Sequence, residues 1–155
     1  MATSAAPAAI DALLSILRTA PELTGAAVVD GPPGVNFTER LRIYVGYSPG
    51  SDQSAEIQQA FANAGARRRD EDGLILCYAE ARGGDKDMRL RRNQVYGLLA
   101  TVENALRGTD AAPEAPTLNG TVLWSEVTTG SLVQAQTESG TLAGLAFTVA
   151  YRARI

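Results

Sequence analysis

Between residues 141 and 155 the side chains alternate. Leu145, Phe147, Val149, Tyr151, Ala153 and Ile155 fall on one side, and Thr148, Arg152 and Arg154 on the other. Period 2 over such a length suits an extended strand with one buried face, and it commits the chain to a sheet. A second segment, 74–81, alternates with apolar residues on both sides: Leu74, Leu76 and Tyr78 against Ile75, Cys77 and Ala79. A strand apolar on both faces belongs in the middle of its sheet. A third, RLRIYVGYS at 40–48, sets Leu41, Ile43, Val45 and Tyr47 against Arg40, Arg42, Tyr44 and Gly46. It predicts a strand with one buried face, ended by Pro49-Gly50.

Two segments carry helical spacing instead. Ile10, Leu13, Leu14 and Leu17 recur at i, i+3, i+4 and i+7. Pro7 suits the first helical position, Asp11 is expected near the first turn, and Pro21 ends the helix near Arg18 or Thr19. The second stripe is Met88, Val95, Leu99, Val102 and Leu106. Asp85 or Asp87 is the expected N-cap and Gly108 the C-terminal stop, giving roughly five turns.

The remaining segments are weaker. Residues 26–29 form a short apolar run, broken by Gly31-Pro32-Pro33-Gly34. In 54–66, Ile57 and Phe61 sit four apart as in a helix, but Gly65 and the arginines beyond favour a strand that pairs with 74–81. Residues 66–73 read as a charged hairpin tip, with Asp72-Gly73 as its turn. Residues 108–117 are a Pro/Ala loop. A strand begins at Val122, Trp124 and Glu126, another covers 131–137, and Ser139-Gly140 turns into the last. Residues 1–7 are expected as a disordered tail. The order α-β-β-(β-hairpin)-α-β-β-β predicts one α+β domain over 1–155, a mainly antiparallel sheet with two helices packed on it.

Composition removes whole chemistries. The 155-residue chain has no histidine and one cysteine. A Ser-His-Asp triad, a Cys-His pair, a histidine zinc site and an internal disulfide are therefore excluded. No phosphate-binding loop or GxGxxG motif follows a strand. A net charge of −3 argues against a general nucleic-acid binder. No apolar run approaches the ~20 residues of a membrane span. The first nine residues lack a basic, then apolar, leader, so an intracellular protein is expected.

Few residues remain that could carry chemistry. Cys77, on an apolar strand, reads as a core residue. Asp70, Glu71 and Asp72 follow Arg67, Arg68 and Arg69 directly. As a solvated tip these charges merely protect a hairpin; as an arm, the + + + and − − − blocks suit docking of like copies head to tail. Arg89, Arg91 and Arg92 crowd the start of the second helix, where cations oppose the helix dipole. They need either local pairs or an external partner. Every basic residue but Lys86 is arginine, a bias that suits interfaces and equally a GC-rich genome.

Order and spacing across most of the chain resemble the tail terminator (tail completion) proteins of long-tailed bacteriophages of actinobacteria. The resemblance rests on IDALLSILR, RLRIYVGYS, GARRRDEDGLILCYAEARGGD and RLRRNQVYGLLATVENALRG. It rests most on the closing SLVQAQTESGTLAGLAFTVAYRARI. It implies a small α+β virion protein of the tail and neck, made in the host cytoplasm, with no catalysis and no cofactor. Six copies would form a ring that caps the tail tube, stops its elongation and docks to the head–tail connector proteins. DNA would pass through the ring without being read. The resemblance assigns no residue roles, so the interface candidates remain Arg67–Asp72, Arg89, Arg91 and Arg92. Two other readings stand beside it: a head–tail connector of the same virion, and a cytosolic ligand-binding or enzymatic α+β domain.

Overall fold

The computed structural model describes residues 3–34, 38–65 and 67–155. In chain order these form α1 (Ala6–Thr19), β1 (Ala27–Asp30), β2 (Leu41–Val45), β3 (Ala55–Phe61), β4 (Arg69–Gly83), α2 (Met88–Leu106), β5 (Trp124–Thr137) and β6 (Gly140–Arg154). Short 3-10 turns lie at Pro21–Leu23 and Ala115–Thr117, the second within the expected 108–117 loop.

The strands make one six-stranded sheet in the order β1-β2-β4-β6-β5, with β3 also paired to β4. At 15 residues, β4 is long enough to serve two neighbours on one side: β3 along 69–75 and β2 along 77–81. Its other side pairs with β6 along its whole length. Among the described residues only β1 and β2 run parallel, so the fold is α+β with a mainly antiparallel sheet.

Both helices pack on one face of the sheet. Leu13 and Leu17 from α1 and Val95 and Val102 from α2 meet Ile43, Ile75, Cys77, Leu145, Phe147 and Val149 in a single cluster. Each such side chain contributes about 1.5–3 kcal/mol on burial. The alternation on β4 and β6 therefore sorts as the sequence predicts. The buried stripe of α2 differs slightly: it uses Leu98, with Leu99 at its margin. Asp87 is the N-cap, its carboxylate accepting from the Leu90 N–H at 3.0 Å. Gly108 follows the helix at φ +94°, the left-handed conformation a glycine stop provides.

Several expectations are corrected. The hairpin tip is not 66–73. The connection occupies residues 62–68, and Asp70 to Gly73 lie inside β4. Gly73 makes no turn: it faces Tyr151 on β6, and an added Cβ would sit 2.1 Å from the tyrosine Cζ. The glycine is there to seat an aromatic ring. Ala66 lies outside the described residues.

The expected pair of strands at 122–126 and 131–137 is one strand, β5, with a bulge between Val127 and Thr129. The long β6 template carries the pairing across Thr-Thr-Gly, which would break an isolated strand. β2 is buried on both faces, because Tyr44 enters a second cluster with Val29 and Tyr78. The expected 1–7 tail is also corrected. α1 starts at Ala6, and Ser4 and Ala5 are tied to β4; Met1 and Ala2 lie outside the described residues. Asp11 consequently falls beyond the first turn, which contains no acidic residue.

Candidate subunit interface

The pleat of β4 separates three adjacent carboxylates. Asp70 and Asp72 project to the face away from the helices, where each meets an arginine on β6. The Arg154 Nε lies 2.8 Å from the Asp70 Oδ1, and the Arg152 Nε 3.0 Å from the Asp72 Oδ1. These residues are register partners, so the ion pairs lie directly across the ladder. The hydrogen bond from Arg154 is the main reason the Asp70 pKa is lowered.

Glu71 projects the other way and is fully buried. Its Oε1 accepts from the Tyr151 hydroxyl at 2.8 Å, the Ser4 hydroxyl at 2.9 Å and the Ala5 N–H at 3.1 Å. Its Oε2 accepts from the Gln59 amide, which also donates to the Thr3 carbonyl. Burial alone would raise the Glu71 pKa; the donors from Gln59, Tyr151, Ser4 and Ala5 outweigh it and leave the carboxyl below 4.5. The N-cap residue of α1, Ala5, offers no capping side chain. A carboxylate from β4 fills that place and meets the positive end of the helix.

The arginines divide in the same manner. Arg91 is buried: it pairs with Asp85 at 2.9 Å, donates to Gln94 at 2.7 Å and packs against Gly83, where a Cβ would lie 1.8 Å from its Nη2. Arg92 reaches across to the Gln134 side chain on β5 at 2.9 Å. The basic crowding at the start of α2 is thus answered within the protomer, apart from exposed Arg89. Arg69 opens β4 and exchanges backbone hydrogen bonds with Ile155, both at 2.9 Å. Arg67 and Arg68 are exposed at the β3–β4 connection and, among the described residues, have no ion-pair partner. Of the candidate charges, then, Arg67, Arg68 and Arg89 face outward, while Asp70, Glu71, Asp72, Arg91 and Arg92 are engaged internally.

Cys77 is fully buried, and burial pushes its thiol up to about 12. We expect no labelling by a water-soluble thiol reagent at pH 8 in the folded protein, and one equivalent after denaturation; rapid native labelling would contradict this packing. Among the described residues, no group of three or more acidic or cysteine side chains is placed to hold a metal ion. Nor is any helix among them long and apolar enough to cross a membrane.

The surface feature that stands out lies at the sheet edges. Of the eight large apolar side chains that are exposed among the described residues, Ile57 and Phe61 are on β3, Trp124 and Val133 on β5, and Leu123 just before β5. Phe61 is 72% exposed and Val133 57%. Leu74, between them on β4, floors a 730 Å³ groove with Trp124 and Ala150, rimmed by Glu56, Asp72 and Glu126. Sequence reasoning missed these edges because it looked for charge. The available signal was its absence: residues 127–137 contain no charged side chain and no proline.

No protein-family model matches this chain, and no curated protein matches it either.

Proposed function

We propose that this chain is a structural virion protein that caps the tail tube of a long-tailed bacteriophage as a ring, stops its elongation and docks the tail to the neck. The observation that best supports this reading is the concentration of exposed apolar side chains on two nearly uncharged edge strands. Natural proteins blunt free sheet edges with charge, proline or a covering segment. Edges left open on a rigid, helix-backed sheet suit a protein that works by assembling. The resemblance over most of the chain implies the particular assembly: six copies, a tube protein below and connector proteins above. Arg67 and Arg68 then belong to the surface that meets a neighbour, with Arg89 as a further outward charge.

The decisive experiment adds the purified protein to polymerising tube protein and measures tube length by negative-stain microscopy. Short tubes with a ring at one end are expected. Unchanged length, with binding to tail-less capsids, assigns the chain to the neck instead; binding to neither removes both readings. Reversing charge with Arg67→Glu and Arg68→Glu is expected to lower the oligomer mass by light scattering. An unchanged mass takes that connection out of the interface.

One observation favours a different class, a small-ligand domain: the groove between β3 and β5 combines an indole with three carboxylates. Specific thermal stabilisation by a small cationic ligand, with no effect on tubes, would be its signature.

A further inference from the structure

Among the described residues, the sheet offers three strands with a free side: β1, β3 and β5. They are not equivalent. β1 has four residues, and the Arg18 guanidinium already occupies its Val28 carbonyl at 3.3 Å. Gly31-Pro32-Pro33 follows at once, and proline has no N–H to offer. β1 is therefore a guarded edge.

β3 and β5 carry no such guard. Over seven residues β3 has one charge, Glu56, and over 14 residues β5 has one, Glu126. Neither contains proline. The bulge between Val127 and Thr129 leaves 129–137 as an uninterrupted stretch of β5, long enough to lie along the whole of β3. Glu126 falls outside that stretch, so setting 129–137 against 55–61 opposes no like charges.

This inference rests on the ring reading and names the joint. We propose that neighbouring copies are joined by strand pairing, the free side of 129–137 on β5 of one copy running along the free side of β3 of the next. Two arguments favour this over pairing of like edges. A β5–β5 contact is two-fold, closes at a dimer and leaves β3 with its exposed Ile57 and Phe61 uncovered. A β5–β3 contact sets one patch against a different patch, covers both edges in every copy and repeats around a ring.

The test uses disulfide trapping in the full chain, where buried Cys77 gives no background. Gln58 and Ala60 on β3, and Ser131, Val133 and Ala135 on β5, project from the same face of the sheet, away from the helices. Directly opposed residues in a strand pair bring their Cβ atoms to about 4.5–5.5 Å, close to disulfide distance. Single variants (Gln58→Cys or Ala60→Cys with Ser131→Cys, Val133→Cys or Ala135→Cys) are mixed in pairs and oxidised mildly. Mass is followed by light scattering and by non-reducing gels. Covalent dimers in β3–β5 mixtures, extending to a ladder when one chain carries both cysteines, are expected. Ring mass without any β3–β5 product, or with β5–β5 product alone, overturns the joint while the ring stands. A single-copy mass at every concentration, with tube protein present, overturns both.

Discussion

Glu71→Ala is expected to destabilise the protein by about 3–5 kcal/mol, because each buried donor left without its acceptor costs about 1–3 kcal/mol. The substitution strands three donors at once, the Tyr151 hydroxyl, the Ser4 hydroxyl and the Ala5 N–H, and takes one of two acceptors from the Gln59 amide. It also removes, among the described residues, the only carboxylate at the start of α1. Total stabilities of domains lie at about 5–15 kcal/mol, so thermal melting should show a large drop. Tyr151→Phe removes a single donor to the same carboxylate and should cost less, about 1.5–3 kcal/mol.

The pH dependence follows from the same contacts. The folded-state pKa of Glu71 lies below the ordinary 4.5. Its contribution is therefore complete above the unfolded pKa and is lost as the pH falls through the lower, folded value. Chemical denaturation at a series of pH values should show an acid limb that is shallower in Glu71→Gln. An acid limb identical to the parent's would show that Glu71 is not the group responsible.

Gly73→Ala is expected to cost about 3 kcal/mol, the upper end for overpacking a core. The new Cβ would lie 2.1 and 2.3 Å from two atoms of the Tyr151 ring and 2.4 Å from its hydroxyl oxygen, so the ring must move. Tyr151 is buried and its hydroxyl is held by Glu71, hence moving the ring breaks the Glu71 network as well. The two sites should consequently be coupled. In a Tyr151→Ala background, Gly73→Ala should lose most of its cost, with a coupling above about 1 kcal/mol. Gly84→Ala is a suitable control: nothing lies within 4 Å of its added Cβ, and an effect within about ±0.5 kcal/mol is expected. Equal costs for the two alanines would refute the ring-seating role of Gly73.

The misreading of Asp72-Gly73 as a turn shows what local reasoning lacks. The dipeptide has turn chemistry, and its neighbours are charged, as a tip would be. What places it inside β4 is Tyr151, 78 positions away, lying across the glycine, together with Arg152 and Arg154 opposite Asp72 and Asp70. A partner so distant in sequence leaves no mark on the spacing of residues 66–73. The same holds for Arg91: its spacing leaves local pairs and an external partner open, and Asp85, Gln94 and Gly83 around it decide for local pairs. The edge strands are different. Their lack of charge was visible, but which strands are edges depends on how β3 and β2 share one side of β4.

By itself the sequence determined the periodicities: a long one-faced final strand, a two-faced central one, two helices with their stops, and the absence of histidine chemistry. These follow from which side chains recur at spacings of 2 or 3.6, a property local to each segment. Only the tertiary structure decided where the charges go. Alternation along β4 buries Glu71 at the end of α1 and sends Asp70 and Asp72 to arginines on β6, because adjacent residues of a strand face opposite sides of the sheet.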